Sequence, residues 1–207
     1  MHTLDVGKFR DAMVSTDPYP HIVVPGFVKS DQLGHVLQDL PGMKKGGSFP
    51  IGAVHFGHTA QGMLAELQGD EFRAIVAEKF LLDLNGAATM TTLRGMSRDK
   101  DGRIHTDSVS KRVTILLYLN RATNDWADHQ GCLRLLRNGS DLENYVVEVP
   151  PVEGTLLVFP NSKTAWHGHK KFIGSRYVVQ MNYMANDSAA ASELRRHKIS
   201  AFIKRFT

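Results

Sequence analysis

His105 and Asp107 stand two residues apart in a short β-rich run, residues 102–107, so strand alternation sends both side chains off the same face. An imidazole and a carboxylate leaving one face can share a single metal ion. About sixty residues later a second imidazole, His167, ends another such run, residues 164–167. Two imidazoles and one carboxylate on one side of an ion, with the opposite positions open, suit a non-haem iron(II) centre; zinc more usually recruits a closed tetrahedral set. His169 shares strand parity with His167 and is the alternative third ligand. The chain has a single cysteine, Cys132, so a thiolate cluster and an internal disulfide are both excluded, and any metal must be held by histidine and carboxylate.

Nine residues beyond His167, Arg176 opens the run Arg176-Tyr177-Val178-Val179-Gln180-Met181-Asn182-Tyr183. Alternation puts Tyr177, Val179, Met181 and Tyr183 on an apolar face and Arg176, Val178, Gln180 and Asn182 on the other. A guanidinium and two amides on one face are costly in a dry core, so that face is expected to line a wet or ligand-filled cavity. Arginine is the side chain best suited to a bidentate grip on a carboxylate. Gln180 and Asn182 are candidates either for binding a substrate or for satisfying the cavity wall.

These residues need a frame. Short β-rich runs separated by Gly, Asp, Asn and Pro occupy residues 87–93, 102–107, 111–119, 132–136, 145–149, 155–159, 164–167 and 175–184. Eight such runs predict an all-β core of the jelly-roll type. Ahead of them, residues 21–24 read as a short strand, and Ser30 or Asp31 is expected to cap a helix reaching about Leu40, where Pro41-Gly42 stops it. Residues 46–60 lack any period and read as loop. Phe72, Ile75, Val76 and Phe80 fall at one-face helical spacing, predicting a core-facing helix from Asp70 to near Asn85-Gly86. The tail from Asp187 returns to a helical pattern, with Ile199, Phe202, Ile203 and Phe206 on one face and basic residues opposite. The expected organisation is one domain over residues 1–207, with mixed and helical support at 1–86, a core at 87–184 and a packed helix at 187–207.

At 207 residues and 42% hydrophobic content, the chain can bury one core, and a second full domain would not fit comfortably. Its net charge of +4 is spread along the sequence without runs, which argues against nucleic acid and slightly favours a small anionic partner. No stretch is long and apolar enough to span a membrane, and the start lacks a secretion-signal layout, so a soluble, cytoplasmic protein is expected. The sequence carries no signal for an oligomeric state.

His105-Thr106-Asp107-Ser108, the run Arg112-Val113-Thr114-Ile115-Leu116-Leu117-Tyr118-Leu119-Asn120, Gly131-Cys132-Leu133-Arg134, His167 and Arg176 together resemble the prolyl-hydroxylase-like branch of the 2-oxoglutarate and iron(II)-dependent oxygenases. The resemblance covers roughly residues 87–184, and residues 20–27 resemble the lead-in of many small bacterial members. It implies a double-stranded β-helix with Fe(II) on His105, Asp107 and His167, and with 2-oxoglutarate and O2 as co-reactants. It further implies that Arg176 holds the distal carboxylate of 2-oxoglutarate with help from the Tyr118 hydroxyl, and that Leu116 and Leu133 pack on its carbon chain. The reaction implied is hydroxylation of an unactivated C–H bond of a small molecule or amino-acid residue, releasing succinate and carbon dioxide. Halogenating relatives lack the carboxylate ligand, and this chain keeps Asp107. Two departures stand out: Gln130 replaces the first glycine of a frequent Gly-Gly pair, and no tyrosine occurs between Thr91 and Ile104 of the kind some relatives place over the cosubstrate.

Two other functions compete with this reading. A non-catalytic, cupin-like jelly roll would bind zinc or another divalent ion without turnover, which the full triad with Arg176 argues against. A nucleic-acid demethylase of the same superfamily would carry a second arginine on the last core strand, where Asn182 stands here. Among the remaining residues, Trp166 and Cys132 are expected to pack, and His55, His58 and His129 to lie in loops, with His55 or His58 able to reach the barrel mouth. Arg134 and Arg137 are expected to be solvated surface charges.

Overall fold

The computed structural model describes residues 2–123, 126–185 and 192. Its elements run α1 (Val6–Asp11), β1 (Ile22–Val24), α2 (Ser30–Gln38), β2 (Phe49–Pro50), α3 (His58–Leu67), α4 (Asp70–Phe80), β3 (Thr89–Ser97), β4 (Lys111–Tyr118), β5 (Leu133–Leu136), β6 (Tyr145–Val149), β7 (Leu156–Pro160), β8 (His167–His169) and β9 (Gly174–Met184). The expected tail helix at 187–207 lies outside the described residues. No helix among them is long and apolar enough to cross a membrane.

Two antiparallel sheets form, a large one in the order β1-β7-β4-β9-β3-β2 and a small one in the order β6-β5-β8. Period-two alternation assigns each face of the large sheet a different task. Val113, Ile115 and Leu117 of β4, Leu156 and Val158 of β7, and Val179, Met181 and Tyr183 of β9 join the main core with Leu33, Met63, Leu67, Phe72 and Ile75 of the helices. The opposite face, with Leu116, Tyr118, Leu157, Phe159 and Val178, meets Leu133, Leu135 and Val149 of the small sheet in a second, smaller core. This is an all-β core with flanking helices, a double-stranded β-helix or jelly roll.

Six of the eight expected core runs form as strands with small shifts at their ends, and a seventh, residues 164–167, pairs as β8 only from His167 to His169. The eighth, residues 102–107, is a turn whose sole ladder contact is a bridge between His105 and His167. Residues 46–60 are more ordered than their composition predicts, containing β2, a 3-10 turn and the start of α3. The cap of α3 explains why: the Asp39 carboxylate accepts from the backbone N–H groups of Thr59 (2.6 Å) and Ala60 (3.2 Å). A cap supplied from some twenty residues away leaves no local signature. α2 starts as expected, but Lys29 is its N-cap and neither Ser30 nor Asp31 caps it. α4 ends earlier than Asn85-Gly86, because Leu81 adopts the left-handed conformation (φ 53°) that glycine usually supplies at such a stop.

Arg134 is not a surface charge. It is 2% exposed on β5, with its Nε donating to Glu148 (2.6 Å), its Nη1 paired with Glu143 (2.8 Å) and its guanidinium stacked on Tyr145. A guanidinium satisfied on several sides can be buried on a strand that sequence alone marks as half-exposed. Arg137 is exposed as expected and forks onto Asp17.

The helices are fixed to the sheet through Phe9, Phe27 and Phe72, all fully buried, with Phe9 stacked on Phe72 at 5.1 Å between ring centroids. Phe72→Ala is expected to destabilise the protein by about 3–5 kcal/mol. Urea unfolding should show this as a lower midpoint with an unchanged slope.

Candidate metal centre and its cavity

His105 and His167 exchange both backbone hydrogen bonds, each N–H donating to the other's carbonyl at 3.0 Å, although they belong to a turn and a strand. Two glycines permit this approach. A Cβ on Gly168 would lie 2.9 Å from the Gly102 carbonyl oxygen and 3.2 Å from the Ile104 backbone, and one on Gly102 (φ +90°) would strike the His169 ring at 2.4 Å. The bridge sets the two imidazoles 4.3 Å apart, centroid to centroid. One donor atom from each of His105, Asp107 and His167 lies within 4.8 Å of the other two.

The ring nitrogens are already sorted. Nδ1–H of His105 donates to Arg103 O (2.8 Å) and Nδ1–H of His167 donates to Ala165 O (2.9 Å), which leaves Nε2 of each as a free lone pair. Burial, followed by the neighbouring His105, lowers the His167 pKa to about 4, so the ring is neutral and ready to ligate. Burial alone would raise the Asp107 carboxyl, but the charge of Lys111 and hydrogen bonds from Lys111 and Thr114 reverse that, and the net shift is downward. Lys111 Nζ reaches Asp107 Oδ1 at 2.8 Å, and Thr114 Oγ1 donates to Oδ2. Asn161 Nδ2 ties the same loop through the carbonyls of Asp107, Ser108 and Lys111.

A cavity opens beside the triad between the two sheets. His105, His167, Leu116, Tyr118, Leu133, Arg176 and Gln180 all line it, so strand parity brings these sequence candidates together. Asn182 lies deeper: it is 1% exposed and spends its amide on Thr114 Oγ1 (2.9 Å), supporting the residue that supports Asp107. His169 lines the cavity but stands outside the triad, its Nδ1–H turned onto Lys170 O (2.8 Å). Its pKa is lowered to about 4 by burial and then by Arg176. His55 and His58 are exposed, and neither lines this cavity.

At the far end from the triad, Arg176 uses Nε on Gly131 O (2.8 Å), and among the described residues no carboxylate pairs with it. Its guanidinium carbon lies 5.4 Å from the centre of the Tyr118 ring. The Tyr118 hydroxyl is buried with no hydrogen-bond partner of acceptable geometry, and burial pushes its pKa up to about 12. A neutral O–H and an unpaired guanidinium side by side fit a missing carboxylate acceptor, as two free Nε2 atoms and a carboxylate fit a missing divalent metal. Arg94, which sequence reasoning passed over, lines the same cavity from β3. Its inward parity, shared with Thr92, is the signal that could have found it.

Residues 92–184 match the family model described as the 2OG-Fe(II) oxygenase superfamily. Over these residues the strand core is similar to that superfamily. The fold is that of its prolyl-hydroxylase-like branch: a Pseudomonas putida prolyl-4-hydroxylase is similar at 17% identity and TM-score 0.56, covering 88% of this chain and 92% of its own. A Trichoplax adhaerens prolyl hydroxylase, solved with a fragment of the hypoxia inducible factor oxygen degradation domain, is similar at 19% identity and TM-score 0.51, covering 87% of each chain. A Phytophthora capsici prolyl 4-hydroxylase reaches TM-score 0.59 at 14% identity, covering 92% of this chain and 68% of its own. No curated protein sequence matches this chain. The oxygenase is thus a dioxygenase that uses Fe(II), 2-oxoglutarate and O2, and the non-catalytic cupin reading falls away.

Two outcomes test the site's construction. Thr114→Val removes a hydrogen bond to Asp107 and the partner of Asn182, and is expected to weaken Mn(II) or Fe(II) binding about ten- to a hundredfold by calorimetry. Metal-free protein should lose stability as pH falls from 6.5 towards 4. Over that interval the unfolded chain protonates His169 and the folded chain resists, a loss of about 3 kcal/mol at this ring if its folded pKa is about 4. His169→Gln should flatten that part of the profile.

Proposed function

We propose that this dioxygenase hydroxylates an unactivated C–H bond of a small molecule or an amino-acid residue, acting in the cytoplasm as one domain. His105, Asp107 and His167 hold the iron, and Arg176 holds the distal carboxylate of 2-oxoglutarate. The observation that carries this reading is the convergence of the three ligand atoms within 4.8 Å in a cavity that also presents an unpaired Arg176 and an orphaned Tyr118 hydroxyl. The bound metal, with 2-oxoglutarate and dioxygen, supplies the oxidant for C–H cleavage, releasing succinate and carbon dioxide.

The chain's own residues position and enclose. Arg176 offers a charged fork and Tyr118 a neutral O–H to the same carboxylate, which suits a charge-assisted hydrogen-bond pair. Leu116 and Leu133 make the apolar walls on which a short carbon chain packs, and exclude water from it. Lys111 and Thr114 keep Asp107 anionic and aimed, and Asn182 fixes Thr114. Gln180 projects beside them as the amide available to a substrate. Keeping Asp107 as the third ligand favours hydroxylation over halogenation, because no open position is left for a halide in its place. Several neighbours in fold are prolyl hydroxylases, which supports an amino-acid-derived substrate without choosing between free and peptidyl forms.

Anaerobic addition of Fe(II) and 2-oxoglutarate is expected to give a weak visible charge-transfer band. His105→Ala should abolish it. A normal band in that variant would sink the ligand assignment.

A further inference from the structure

Arg94 is the cavity residue that the proposed oxygenase site leaves unexplained. It sits on β3 opposite Val178 of β9, which in turn lies opposite Tyr118 of β4, so Arg94, Val178 and Tyr118 form one row across three strands on the inward face. The same cavity holds Arg94, Arg176, Gln180 and both histidines of the triad. Among the described residues, no hydrogen bond or ion pair engages the Arg94 guanidinium. The nearest acid by electrostatic influence is Asp101, and both its oxygens are taken by Arg98, at 3.0 and 3.1 Å. Burial and the neighbouring Arg176 and Arg98 all act to lower the Arg94 pKa, yet a guanidinium stays charged under such conditions.

An unpaired, partly buried cation beside a second one is costly unless an anion completes it. The cosubstrate in the proposed reading is already provided for: the metal takes one end, and Arg176 with Tyr118 takes the other. Lys111 is paired with Asp107, and the one dianion leaves Arg94 without an acceptor. A further carboxylate acceptor is the chemistry that completes it.

We propose that Arg94 binds a carboxylate of the prime substrate, making that substrate a small free carboxylic acid, such as an unblocked amino acid, with its acid group on Arg94 and a C–H bond turned towards the triad. The proposal rests on the oxygenase reading and narrows it. An internal residue of a peptide has no carboxylate at its backbone to offer.

The test uses the full chain with Fe(II). Common free amino acids and short mono- and dicarboxylic acids, each beside its primary amide, are screened for stimulation of succinate release, and 2-oxoglutarate affinity is read separately from the charge-transfer band. Acids should stimulate and their amides should not. Arg94→Gln should lower kcat/KM for the stimulating acid about ten- to a hundredfold, the loss of one charge-assisted contact. Its 2-oxoglutarate affinity should stay within about threefold of the parent, and Arg94→Lys should recover part of the activity. Thermal melting of both variants separates this from misfolding, and Arg94→Lys carries the test if Arg94→Gln fails to fold. Three results would overturn the proposal: amides working as well as acids, no acid stimulating at all, or Arg94→Gln weakening 2-oxoglutarate as much as it weakens the acid. Absence of the band in the parent protein is a different failure, one of the iron and 2-oxoglutarate assignment itself.

Discussion

The close approach of the 102–105 turn to β8 is the constraint on which the rest of the site depends. The backbone exchange between His105 and His167 fixes two imidazoles against each other before any metal is present, and it requires that neither Gly102 nor Gly168 carry a side chain. Once the rings are placed, their Nδ1–H groups meet the carbonyls of Arg103 and Ala165 in their own segments, so orientation and tautomer follow from the same contact. Asp107 then needs only to be turned inward. Lys111 and Thr114 turn it from β4, which belongs to the large sheet, whereas β8 belongs to the small one. The site is therefore pre-organised by backbone pairing on one side and side-chain hydrogen bonds on the other.

A second dependence runs through charge. Asn182, Thr114, Asp107 and Lys111 form a chain in which every polar atom named has a partner, and the metal triad sits at its end. The opposite end of the cavity is built the other way, with Arg176, Tyr118 and Arg94 left short of acceptors. Satisfied groups resist movement and hold geometry, whereas unsatisfied ones store affinity for whatever completes them. The cavity thus has a rigid end for a metal and a receptive end for carboxylates.

Much of this is written in local sequence. The alternation of Arg176, Val178, Gln180 and Asn182 against Tyr177, Val179, Met181 and Tyr183 specifies which face of β9 meets the helices and which meets the cavity, because strand parity needs no tertiary information. The spacing of Phe72, Ile75 and Val76 does the same for α4. What local sequence does not carry is long-range. The Asp39 cap on α3 acts across the chain, and Arg134 is buried only because Glu143 and Glu148 meet it there. The 102–107 segment reads as a strand from its composition, yet it makes a single bridge to β8, supplemented by the His169 N–H bond to Gly102 O. Arg94 was hidden for a related reason: its run looks polar and ordinary until β9 is known to lie beside it.

The two faces of the large sheet also explain why the helices are needed. A jelly roll whose inner layer carries Arg94, Tyr118, Arg176, Gln180 and Asn182 gives up apolar burial where a sandwich normally gains it, and two guanidiniums there oppose folding until ligands arrive. The small inter-sheet cluster around Leu135, Leu157 and Phe159 is a modest source of stabilisation. The compensating burial is on the other face, where β4, β7 and β9 pack their odd or even set against α3, α4 and the Phe9–Phe27–Phe72 cluster. Stability and chemistry are thereby assigned to opposite faces of the same strands. A change in the cavity can alter what is bound without touching the main core, and a change in the core reaches the cavity only by moving a strand.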